Sequence, residues 1–166
     1  MNRWFYTQLW RIAPPLIRHY LKKRAVKSPA YLYHWGERFG EPFDQPVQRP
    51  IWVHAVSVGE TRAAQPLVEA LRRHFPDAPL LMTQMTPTGR AAAKELFPDA
   101  QCRYLPYDKP EWVAQFLKEH SPLFGVLMET EIWPNLMHAC ADAHVPLFLA
   151  NARLSEKSQR GYLKIR

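Results

Sequence analysis

From residue 51 to the end of the 166-residue chain, short apolar runs alternate with amphipathic stretches, and this repeat restricts the fold more than any other feature. The runs at 51–57, 80–84, 102–105, 123–128 and 146–150 predict strands. The stretches at 61–74, 87–96, 110–120, 133–143 and 155–164 predict helices. Several begin with residues suited to a helix start: Pro87 after Thr86, Pro110 soon after Asp108, and Ser155. Phe124, Gly125, Val126, Leu127 and Met128 form an unbroken apolar run. Such a strand must be covered on both faces, whereas a half-exposed strand would alternate. The pattern predicts an α/β fold over residues 51–166, a Rossmann-like parallel sheet with helices on both faces. Residues 41–50, with Pro42, Pro46 and Pro50 and no periodicity, read as a connector. The last predicted helix stops two residues short of Arg166, so the domain is expected to be truncated.

Residues 1–40 have a different character. They hold eight basic residues (Arg3, Arg11, Arg18, Lys22, Lys23, Arg24, Lys27, Arg38) against the single acid Glu37, leaving 14 of each sign in residues 41–166. The whole net charge of +7 therefore lies in this segment. A neutral body argues against a nucleic-acid partner, whose binder would spread basic residues over its folded surface. Trp4, Phe5, Tyr6, Leu9, Trp10, Ile12, Leu16, Ile17, Tyr20 and Leu21 are interleaved with the charges. No run reaches the roughly 18–20 apolar residues of a membrane span, and Arg11 and Pro14-Pro15 interrupt the most apolar part. No secretory signal is legible either. Residues 1–40 read as a basic, aromatic membrane-interface segment on anionic lipid, or alternatively as a solvated basic helix packed on its own domain.

In such sheets ligands bind at the carboxyl ends of the strands, so chemistry is expected in the strand-to-helix loops. The first loop runs from His54 through Ser57, Val58 and Gly59 to Glu60. Gly59 permits a tight turn, and Ser57 with the first helical amides offers donors to an anion. Glu60 would project into the crevice, kept ionised by the helix dipole, as a general base toward a hydroxyl. A plain helix-start acid fits the same position. The second loop holds Thr86, Pro87, Thr88, Gly89 and Arg90, where hydroxyls and a guanidinium would grip a phosphate or carboxylate. A capped helix with an exposed arginine fits it too. The fourth loop places Glu129, Glu131 and Trp133 after the most apolar strand, and two acids there are costly unless something uses or pairs them. Asn151 ends the last strand. No G-x-G-x-x-G occurs, the seven histidines show no metal spacing, and Cys102 and Cys140 read as buried reduced thiols. No metal and no cofactor are expected.

Five stretches occur in order: Tyr33-His34-Trp35-Gly36-Glu37-Arg38-Phe39-Gly40, then His54 to Glu60, Thr86-Pro87-Thr88-Gly89-Arg90, Glu129 to Asn135, and Asn151-Ala152-Arg153-Leu154-Ser155. Together they resemble 3-deoxy-D-manno-octulosonic acid (Kdo) transferases over nearly the whole chain. The resemblance implies the N-terminal, acceptor-side half of a two-domain GT-B glycosyltransferase, inverting and metal-independent. It implies transfer of Kdo from CMP-Kdo to the lipid A precursor at the cytoplasmic face of the inner membrane, by a protein held there peripherally or by its N-terminus. Glu60 is the implied base. Ser57, Gly59, Thr86, Gly89, Arg90, Glu129, Glu131 and Trp133 are implied acceptor-side residues. The CMP-binding domain is expected to be absent from these residues, which leaves this part inactive alone. The alternatives are another GT-B transferase acting on lipid-linked sugars and a non-catalytic membrane- or acceptor-binding module.

Overall fold

The computed structural model describes residues 3–152, so the helix expected at 155–164 and Arg153 to Ser155 lie outside the described residues. Strands β1 (Ile51–His54), β2 (Leu80–Gln84), β3 (Gln101–Tyr104), β4 (Phe124–Met128) and β5 (Leu147–Ala150) form one parallel sheet. Its order is β3-β2-β1-β4-β5. The chain therefore builds outward from β1 in one direction, then crosses back and builds in the other. The reversal falls between β1 and β4, which is where doubly wound sheets open a crevice.

This order places the helices on two faces. Helices α4 (Val58–Ala63), α5 (Gln65–His74) and α6 (Pro87–Leu96) cover one face, burying Val68, Ala93 and Phe97 on Ile51, Val53 and Met82. Helices α7 (Pro110–His120) and α8 (Pro134–Asp142) cover the other, burying Val113, Phe116, Leu136 and Cys140 on Trp52, Leu81 and Leu127. Successive β1 residues thus feed opposite cores, as the period of two requires. The Trp52 ring lies against β4 so closely that a Cβ on Gly125 would stand 2.5 Å from it. Truncating Trp52 to alanine in such a site costs about 3–5 kcal/mol. The single helix expected at 61–74 is two helices. Ser57 starts the first turn earlier than expected, and Pro66, which lacks an N–H, marks the junction near Ala64.

Ahead of β1 lie three α-helices, α1 (Arg3–Leu9), α2 (Ala13–Ala25) and α3 (Trp35–Arg38), with a short 3-10 helix at Pro29–Leu32 between the last two. Leu21 and Ala25 of α2 pack with Tyr31 and Phe39, against Tyr107 and Trp112 of the sheet domain. Gly40 closes this segment at φ +70°, and a Cβ there would meet the Trp112 ring at 2.4 Å, so position 40 requires glycine twice over. The outer surface of α1 and α2 leaves Trp4, Phe5, Leu9, Ile12, Leu16 and Tyr20 exposed. No described helix is long and apolar enough to cross a membrane.

The connector is tied down at β3 and α7. Val47 N–H donates to Gln101 Oε1 (3.1 Å), and Arg49 N–H to the His120 carbonyl (2.8 Å). His120 Nδ1 meets the Val47 carbonyl at 3.0 Å, while its Nε2 lies 2.9 Å from Arg103 Nη1. The carbonyl needs a proton on Nδ1 and the guanidinium needs a lone pair on Nε2, so the ring is neutral. Burial accordingly pushes its pKa down to about 4.

Candidate active site

The β1–α4 loop is built around Glu60. Ser57, in extended conformation, caps α4, and its Oγ accepts from Glu60 N–H at 3.5 Å. The Glu60 side chain folds back over the same turn. Its Oε2 accepts from Val56 N–H (2.8 Å) and its Oε1 from the Ser57 hydroxyl (2.9 Å), a variant of the capping box. Glu60 is only 8% exposed. It does not project into the crevice as expected, because folding back satisfies orphan donors at the helix start. Nor does the helix end decide its charge. Burial raises its pKa, the bonds from Val56 and Ser57 oppose the rise, and the negative fields of Glu131 and Glu129 add to it. The carboxylate binds a proton more readily than one in water.

Glu129 and Glu131, whose fields act on it, follow β4, the strand paired with β1 in register His54 to Leu127. The two loops flank the point where strand order reverses. Glu129 sits at φ +59°, an uncommon conformation for a residue with a side chain, and its N–H donates to the Ala150 carbonyl (2.9 Å). Glu131 Oε2 accepts from the Trp133 indole N–H at 2.8 Å. The Trp133 ring meets the His54 ring edge to face, with centroids 5.8 Å apart. His54 is fully buried at the end of β1, its Nδ1 against the Thr83 hydroxyl and carbonyl (2.9 and 3.1 Å). Burial holds its pKa down at about 4, so it is a neutral wall of the site.

The β2–α6 loop supports this constellation from behind. Thr86 caps α6, accepting from Gly89 N–H (3.1 Å), and its hydroxyl donates to the Val56 carbonyl (3.1 Å). A Cβ on Gly89 would lie 3.1 Å from that carbonyl oxygen and 3.2 Å from Ser57 C, so the start of α6 packs directly on the Glu60 loop. Arg90 takes neither role expected of it. It is neither exposed nor open to an acceptor anion, because both of its terminal nitrogens bond the two oxygens of Glu37, Nη2 to Oε1 at 3.0 Å. A buried guanidinium without an opposite charge is expensive, and Glu37 is the charge the fold supplies. Gly59 differs from Gly89: the nearest atom to a Cβ there is Ser57 Oγ, 3.9 Å away, so packing within the chain leaves its surface open.

Sequence reasoning gave no role to several members of this region. Asp108, read only as a residue near a helix start, is buried and caps α8 from the loop before α7, accepting from Asn135 N–H (3.0 Å) and Leu136 N–H (2.7 Å). Burial raises its pKa despite these donors and a bond from Tyr6. The Thr7 hydroxyl donates to Asn135 Oδ1 (2.8 Å), so α1 is fastened to the helix that follows the Glu131 loop. Glu37 and Arg38 lie in the first of the five stretches that carry the family resemblance, but nothing in the sequence gives either of them a partner. A separate groove of about 680 Å³ lies between α7 and α8, lined by Ala114, Leu117, His138 and Ala139 among others, and Glu60 does not line it.

Residues 33–166 match the family model described as 3-Deoxy-D-manno-octulosonic-acid transferase (kdotransferase). The 3-deoxy-D-manno-octulosonic acid transferase of Haemophilus influenzae is 40% identical over 100% of this chain and 40% of its own length. That of Bordetella pertussis is 42% identical over 96% of this chain and 39% of its own. A probable mitochondrial 3-deoxy-D-manno-octulosonic acid transferase of Arabidopsis thaliana is 36% identical over 87% and 33%. The chain spans 33–40% of the length of these relatives. A family match across most of the chain, together with identities at this level over nearly all of it, shows that the chain belongs to the 3-deoxy-D-manno-octulosonic acid transferase family.

Proposed function

We propose that this chain is the acceptor-side part of an inverting glycosyltransferase that moves Kdo from CMP-Kdo onto the lipid A precursor, with Glu60 as general base. The observation that carries the reading is a buried carboxylate at the sheet's switch point, held by neutral donors and lying in the field of two further acids. In the reaction, a hydroxyl of the acceptor sugar gives its proton to Glu60 as its oxygen bonds the anomeric carbon of Kdo, and CMP leaves from the opposite face. A carboxylate of raised proton affinity suits that step, because a base gains efficiency as its pKa approaches the working pH. Ser57 keeps the carboxylate aimed. Open space at Gly59 admits the acceptor sugar, and Glu131 with Trp133 borders the far side.

In this reading the N-terminal segment holds the site at a membrane. Exposed Trp4, Phe5 and Leu9 lie on α1, and Lys22, Lys23 and Arg24 end α2, a combination suited to the headgroup region of anionic lipid on the cytoplasmic face of the inner membrane. Residues 1–40 would serve as the interface segment, 41–50 as connector and 51–166 as the acceptor-side domain, the donor being bound by residues beyond it.

The test is a transfer assay with CMP-Kdo and tetra-acylated lipid A precursor, run on this chain, on the chain joined to the C-terminal part of a relative, and on the joined protein with Glu60→Gln. We expect transfer only from the joined protein, lowered about 10²- to 10⁴-fold by Glu60→Gln. Full activity in the Gln variant removes Glu60 from the chemistry.

A further inference from the structure

We infer that Glu37 and Arg38 are positioning residues for the Glu60 carboxylate, acting from α3 through the β2–α6 loop; the inference rests on the reading of Glu60 as base. Two chains of contact run from these neighbouring residues, and both converge on Val56. In the first, Arg38 Nη1 donates to the Met85 carbonyl at 2.9 Å. Met85 N–H donates to the Val56 carbonyl at 3.2 Å, and Val56 N–H donates to Glu60 Oε2 at 2.8 Å. In the second, Glu37 takes both terminal nitrogens of Arg90 and also accepts from Tyr104 N–H at 2.7 Å. That pins the first turn of α6. From there Thr86 holds the Val56 carbonyl, and Gly89 backs onto Val56 and Ser57.

Packing alone does not call for these residue types. Arg38 is 0% exposed and has no ion-pair partner among the described residues, its guanidinium lying 3.5 Å over the Tyr104 ring. A methionine would cover that ring without the cost of a buried cation. What the guanidinium adds is direction: a charged donor fixed on one carbonyl of the loop that backs the Glu60 turn. Glu37 likewise holds two elements at once, bonding Arg90 at the start of α6 and the Tyr104 N–H at the end of β3. Since, among the described residues, only the Val56 amide and the Ser57 hydroxyl hold the Glu60 carboxylate, freedom at Val56 becomes freedom at the carboxylate.

The test measures amide hydrogen exchange at Val56 and Met85, and the titration of Glu60 by carboxyl NMR, in this chain carrying Arg38→Lys, Glu37→Gln, or Glu37→Met with Arg90→Met. The double variant guards against simple unfolding, because replacing both partners of a buried pair leaves no uncompensated charge. We expect exchange at Val56 and Met85 to quicken at least about tenfold while Val53 and Leu81 stay protected, with Glu60 titrating closer to an ordinary carboxylate. In the protein joined to a relative's C-terminal part, kcat should fall about 10- to 100-fold with the KM for acceptor nearly unchanged, as a displaced group produces. Unchanged exchange at Val56 and an unchanged Glu60 titration in the folded double variant overturn the inference. Should the loop loosen as expected while the unmutated joined protein transfers nothing, the brace stands and the transferase reading falls.

Discussion

Glu37 and Glu60 are buried to the same degree, 9% and 8% exposed, yet the fold treats them in opposite ways. Glu37 meets a guanidinium with both oxygens, and a backbone N–H completes its shell. Among the described residues, Glu60 receives one N–H and one hydroxyl, no cation, and the fields of two other carboxylates. Depth therefore does not decide how a buried carboxylate is held. Opposite charge nearby makes the carboxylate part of the frame, and its absence leaves a group that gains by taking up a proton.

The largest expected consequence is on stability. Glu37→Gln strands Arg90 as a buried cation and should cost about 3–5 kcal/mol, the usual loss on breaking a buried pair. Glu60→Gln should change stability by less than about 1 kcal/mol, because a neutral side chain suits a site that already resists charge. Urea midpoints at constant slope measure both. Similar losses in the two variants would break the contrast.

Burial acts on histidines too, which sharpens the comparison through pH. His54 and His120 have folded pKa values of about 4, against an ordinary 6.5. Between those values the unfolded chain binds protons that the folded chain refuses, so stability falls as pH drops from 6.5 to 4, by on the order of 3 kcal/mol per histidine at full effect. Glu60 and Asp108, whose pKa values are raised, act in the opposite sense: the folded state holds their protons more firmly, and the stability they contribute on the acid side is lost as pH rises through their folded pKa. Stability measured across this range should lose up to about 1.4 kcal/mol per pH unit of slope in His120→Gln. An unaltered slope would show that His120 is not held neutral.

The smallest effect concerns Gly59, the one glycine among the described residues that packing leaves open. Gly59→Ala should raise stability by up to about 1 kcal/mol, since alanine suits a helix better and meets nothing closer than 3.9 Å. If the acceptor sugar approaches there, transfer by the joined protein should fall in the same variant. Unchanged transfer would place the sugar elsewhere.

The sequence by itself determined the parallel α/β sheet, with β2 matching its expected bounds and α6 and α7 likewise, because apolar period and helix-start residues are local properties of the chain. It also brought forward Ser57, Glu60, Glu129 and Glu131 as loop residues at strand ends. It did not determine that the β1 and β4 loops are neighbours, since strand order is set by which helices cover which face. Nor could it tell the two buried glutamates apart. Glu37 lies 53 positions from Arg90, and no local rule links a charge in an aromatic segment to one at a distant helix start. Only the tertiary structure decided that pairing, because the energy of a buried charge depends on what stands within a few ångströms of it and not on its place along the chain.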